Sequence, residues 1–223
     1  MSSTTRYSRG RAFAIVSVAA MVSALAVASL SAASAGSMHR TVTTQRALAL
    51  HDNMRALWQA HGTWTERAIV DFVGGLPDTN LVVARLLQNQ VDIGNAVKPY
   101  YGPKAGNKLT ALLKDHINDA VNVLAAAKSG NTAQLVKAKA AFYANGNQVA
   151  AFLHSANAAH WPLPAMRQMM HTHLDQVLVL AVDQLEGHYQ SAIQEYNVYI
   201  GHILDMAEML SNGITQQFPA RFR

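Results

Sequence analysis

Apolar residues recur every three or four positions from about residue 43 to the end of the chain, the pattern of helices that bury one face. The first such run predicts a helix over 43–73, closed by Gly74-Gly75 with Pro77 just beyond. Its stripe is His51, Met54, Trp58, His61, Thr65, Ala68 and Phe72, a 3-4 spacing that forms a bundle seam. A second helix is predicted over 80–97, ended by Pro99, which disfavours helical geometry at Lys98. A turn over 98–103 leads to a third helix over 104–128, with Leu109, Leu112, Leu113, His116, Ala120, Leu124 and Ala127 inward. A fourth, over 132–156, places Val136, Ala140, Tyr143, Ala150 and Ala151 on one side. Pro164 suits the first turn of a fifth helix reaching Glu186. The sixth, over 189–215, carries Ile193, Tyr196, Ile200, Ile203, Ala207, Leu210 and Ile214. No strand-like alternation or fixed-period repeat interrupts this. The expected fold is an all-α antiparallel bundle of about six helices, forming one domain over 43–223.

The first 35 residues follow a different logic. Arg6, Arg9 and Arg11 precede an uncharged stretch from Ala12 to Leu30, and Ala33-Ser34-Ala35 follows. A basic start, an apolar middle and a small-residue site make a secretory signal peptide, with cleavage expected after Ala35. The alternative is a retained anchor, since 19 uncharged residues just span a bilayer. No Arg-Arg pair supports twin-arginine export. Residues 36–42 are expected to form a disordered tail.

This leader alters the reading of charge. The whole chain holds 18 Lys and Arg against 13 Asp and Glu, formally +5. Without the three leader arginines, 15 basic residues face 13 acidic ones, a net +2. Residues 98–139 are basic and 140–223 acidic, as expected of opposed helical faces rather than a nucleic-acid footprint. No cysteine is present, which excludes disulfides, thiolate metal sites and thiol catalysis.

Candidate chemistry centres on histidine. His51, His61 and His116 fall on predicted core stripes, and His173 lies at the edge of one. Bundle cores are common metal sites, and neutral imidazole is the commonest ligand. A site from His51, His61, His116 and His173, with Glu208 as a carboxylate, would take Cu, Zn or Fe. The competing reading is four structural histidines, each hydrogen-bonded to a neighbour. His-Glu-x-x-His and Glu-x-x-His motifs are missing, which removes zincin and di-iron carboxylate chemistry. Met166, Met169, Met170, Met206 and Met209 would suit copper, or simply fill a core. A second candidate is the polar segment with Asp92, Asn95, Lys98, Tyr100 and Tyr101, read either as a ligand pocket or as a helix end. Glycine-rich phosphate loops and Gly-x-Ser-x-Gly elbows are missing.

Several segments carry a resemblance: Leu50-His51-Asp52-Asn53-Met54-Arg55 with Trp58, Arg85-Leu86-Leu87-Gln88-Asn89-Gln90, Asp92-Ile93-Gly94-Asn95-Ala96, Lys98-Pro99-Tyr100-Tyr101-Gly102, and Gln217-Phe218-Pro219. Through them the chain resembles a family of small, uncharacterised, all-helical bacterial proteins. Some members carry glycosyltransferase or kinase names. The resemblance implies a compact bundle, and those names would imply transferase chemistry.

The expectation is therefore an exported, soluble bundle, periplasmic or secreted, with a binding or envelope-stress role. Its partner would be a small ligand or an envelope component, not nucleic acid, with membrane contact only through the leader. A metal-binding bundle and a transferase are the alternatives.

Overall fold

The computed structural model describes residues 44–223. The leader assigned to 1–35 and the tail assigned to 36–42 lie outside the described residues. Helix α1 (Gln45–Gly74) starts where the Thr44 side chain accepts the Ala47 N–H at 3.3 Å. It stops at Gly75, whose φ of 66° requires the left-handed region. The other helices are α2 (Thr79–Lys128), α3 (Thr132–Ala156), α4 (Leu163–Glu186) and α5 (Tyr189–Gln217). The chain ends in a 3₁₀ turn, Pro219–Phe222. Asn131 Oδ1 caps α3 by accepting from Gln134 N at 3.0 Å. Among the described residues the fold is all-α, with no strand.

The described helices number five where six were expected, and the difference lies in α2. Lys98 and Pro99 stay helical. Pro99 sits in the last turn of the first arm, where its missing N–H leaves the Asn95 carbonyl without its i→i−4 bond, and the arm ends three residues on. Only Gly102 leaves helical geometry, at φ 82° and ψ 166°, and Pro103 opens the second arm. The break bends α2 back on itself. A Cβ at Gly94 would lie 2.7 Å from the Gly106 carbonyl and 1.9 Å from Thr110 Oγ1. A straight helix would hold residues 94 and 106 about 18 Å apart. Only glycine permits this backbone approach.

The helices pack in chain order, and α5 returns to α1, closing the ring. α1 and α4 also touch across it. Phe142, Trp161, Met166, Leu174, Tyr199 and Ile203 are fully buried at its centre. The α1 seam from Met54 to Ala68 is buried as expected, with Ile69 and Asp71 added. On α3, of the expected face only Ala150 is buried. Val136 is 66% exposed, and the buried face runs through Ala138, Phe142, Asn145, Gly146 and Val149. Alanines occupy both sides of this helix, so periodicity alone chose poorly. On α5, Ile193 is 65% exposed, and the first turn buries Ala192 instead. No helix among the described residues is long and apolar enough to cross a membrane.

Gly94→Ala is expected to destabilise the fold by about 1–3 kcal/mol through overpacking against backbone. Gly201 is helical, and a Cβ there would meet nothing within 4 Å. Gly201→Ala should stabilise by about 0.5–1 kcal/mol. Urea unfolding of the two variants checks both signs.

Candidate functional site

Three histidines share their helix faces with large apolar residues. His61 on α1 follows Met54 and Trp58, His116 on α2 follows Leu112 and Leu113, and His173 on α4 follows Met169 and Met170. Burying those stripes carries the imidazoles inward. His61, His116 and His173 are 2%, 3% and 2% exposed. His173 is the hub. Its ring centroid lies 5.7 Å from His61, 5.7 Å from His116, 5.6 Å from Tyr199 and 6.5 Å from His202. Trp58 meets His61 edge-on at 5.6 Å, and Phe142 packs 4.7 Å from His116.

Hydrogen bonds fix two tautomers. Asn145 Nδ2 donates to the Leu112 carbonyl at 3.1 Å, which turns its oxygen towards His116. His116 Nδ1–H then donates to Asn145 Oδ1 at 2.9 Å. Gln90 Nε2 donates to the Leu86 carbonyl at 2.8 Å and lies 3.2 Å from His61 Nδ1. His61 Nδ1 is therefore an acceptor, and its proton sits on Nε2. His202 Nε2–H donates to the Met169 carbonyl at 3.0 Å. The layer thus draws on all five helices.

It is not fully satisfied. His173 Nδ1, Gln90 Oε1 and Trp58 Nε1 are buried without a hydrogen-bond partner in the protein. Burial in these surroundings disfavours charge. It lowers His61 to about 3, aided by the nearby His116, and lowers His116 to about 4 against the Asn145 hydrogen bond. His173 is pushed well down by burial, then by His116, His61 and His202. Burial also raises Tyr199. All three histidines are neutral at pH 7. Two apolar cavities of about 40 and about 20 Å³ flank the layer, and no histidine lines either.

The remaining predicted residues lie elsewhere. His51 is 35% exposed, with Nδ1 3.4 Å from Asp52 Oδ1 and Nε2 4.0 Å from Glu208 Oε1. Glu208 is held by Arg55. This pair therefore sits at the surface, apart from the histidine layer. At this turn of α1 the core takes Leu50 rather than His51, which lies at the edge of the buried face. Among the described residues no group of three or more His, Asp or Glu side chains is placed to hold one metal ion. Met166, Met169, Met170 and Met206 are buried core.

The five residues of the polar segment do not line one pocket. Asp92 accepts from Gln88 at 3.1 Å and faces Arg85 at 3.7 Å. Asn95 is exposed. Lys98 lays its stem against Gly106. Tyr100 stacks on Phe222 at 5.7 Å, and Tyr101 donates to Gln217 Oε1 at 2.6 Å. Both tyrosines anchor the C-terminus to the α2 bend. Tyr100 also lines an open groove of about 690 Å³ with Arg46, Asn53, Arg221 and Phe222.

Sequence reasoning missed Gln90, Asn145, Tyr199 and His202 as partners of the layer. Asn145-Gly146 offered a signal, since two poor helix formers mid-helix call for a tertiary reason. No protein-family model matches the chain, and neither does any curated protein or solved structure.

The lowered histidines set the acid limb of stability. Below about pH 6.5 the unfolded chain takes up protons that the folded core refuses, so stability falls as pH falls. Each histidine contributes up to about 1.4 kcal/mol per pH unit until its folded value is reached. Glu66, Asp119 and Glu195 are raised by burial and oppose this only in the carboxylate range. Urea unfolding between about pH 6.5 and 5 should therefore show a steep loss. A flat profile there would mean that the three imidazoles are protonated in the fold.

Proposed function

We propose that this chain is an exported helical bundle with a binding or envelope-stress role and no catalytic turnover, its working element being the buried histidine layer. The observation that supports this reading is the closure of that layer. Its three imidazoles form a dense titratable cluster, yet they are almost wholly shielded, and the flanking cavities are apolar. A catalytic imidazole must reach its substrate, and these do not. Export rests on the leader pattern over 1–35.

A second reading, metal binding, draws on the same cluster, because neutral imidazoles with an unpartnered Nδ1 on His173 are in ligand form. It requires His61, His116 and His173 to move from their present positions. A transferase site at Asp92–Tyr101 has less support, since those side chains are engaged in helix-end and C-terminal contacts.

N-terminal sequencing of exported material should begin at Gly36; a chain starting at Met1 in the membrane fraction would contradict cleavage. The melting temperature of the purified protein should not respond to added Zn, Ni or Cu. A rise of several degrees, lost in His173→Phe, would instead establish the metal reading.

A further inference from the structure

We propose that the histidine layer is an acid-operated lock, in which protonation at His173 loosens the packing of α1, α4 and α5 and admits water to the core. This rests on the reading of the layer as the working element, and it names how that element is regulated.

His173 has neighbours on every side. From α1 it faces His61, from α2 His116, and from α5 Tyr199 and His202. The contribution of α3 to the layer is the amide Asn145, through His116. The charges that act on His173 are those of His116, His61 and His202. No carboxylate stands among them. A cation formed here would be buried, without a counter-ion, beside two more bases. Such a charge is relieved by water rather than by a partner.

The layer is also prepared for hydration. Buried polar atoms on His173, Gln90 and Trp58 have no hydrogen-bond partner in the protein. Water that enters on protonation pairs with such atoms. The surrounding walls are apolar, so opening exposes hydrophobic surface. The helices themselves depend on their own backbone bonds and caps, which acid does not touch. The opened state should therefore keep its helices while losing fixed packing.

The geometry predicts a cooperative event. Protonating one imidazole opens the site, and the others then take protons in water at their ordinary affinity. Two or three protons should enter together.

The test is an acid titration of the purified chain from pH 7.5 to 4.5. It follows fluorescence of the apolar-surface dye ANS, near-UV circular dichroism from the tryptophans, and far-UV circular dichroism. The expected result is a several-fold ANS rise with loss of the near-UV signal and retained far-UV signal, in one steep step below pH 6.5. His173→Phe keeps a planar ring on Tyr199 and His116. It should move the step to lower pH and make it shallower, because one fewer proton is taken up. The exposed His188→Gln should leave it unchanged. If His173→Phe does not fold, hydrogen exchange at the imidazole C2 positions of the wild type decides. His61, His116 and His173 should become reactive together, at the pH of the ANS step. An unchanged near-UV spectrum down to pH 4.5, an identical step in His173→Phe, or histidines that titrate singly in a closed fold would overturn the proposal. Export is judged separately by N-terminal sequencing, so failure of the lock leaves that reading intact.

Discussion

The structure depends on placing neutral imidazoles where charge is excluded. His61, His116 and His173 ride into the core on stripes of Met, Trp and Leu, and there they meet side chains from every other helix. Apolar packing alone would tolerate sliding of one helix past another. The His116–Asn145 contact does not, because a shift of one turn parts Asn145 from both His116 and the Leu112 carbonyl and leaves its amide buried and unpaired. The layer therefore specifies register as well as occupying volume.

The same layer limits what the molecule can do. It is too shielded to act on a substrate, and its side chains are not arranged around one ion. It is, however, well placed to respond to protons. Neutrality of the imidazoles depends on dryness, and dryness depends on packing. His173, Gln90 and Trp58 each bury a polar atom that has no partner in the protein. The fold is coupled to pH through that chain of dependence. The proposed export would place the fold where pH changes that the cytoplasm buffers are met, which gives such coupling a use.

Much of the fold was legible from periodicity. The α1 seam at Met54, Trp58, His61, Thr65 and Ala68 is buried as its spacing requires. Glycine and proline marked most helix ends. On α3, small residues on both faces left no contrast, and Phe142 with Asn145 turned inward instead of Val136. The bend in α2 was visible as Pro99, Gly102 and Pro103, but its sharpness was not. Gly94 and Gly106 reveal their purpose only when the two arms meet. For the site, three of the four core histidines were correctly brought inward. His51 was not, because the core takes its neighbour Leu50 at that turn of α1, and Asp52 and Glu208 take His51 up. The polar segment from Asp92 to Tyr101 suggested a pocket by composition. Asp92, Lys98, Tyr100 and Tyr101 instead answer nearer demands: an i,i+4 partner, a close glycine and the C-terminal turn, while Asn95 is exposed.

Register, closure and acid response all require the histidine layer to be neutral, dry and held in fixed tautomers. Imidazole ¹⁵N NMR of the selectively labelled protein at pH 7 tests this most directly. Three uncharged rings are predicted, with the proton of His116 on Nδ1 and that of His61 on Nε2. An imidazolium signal from His61, His116 or His173, or rings exchanging freely between tautomers, would contradict it.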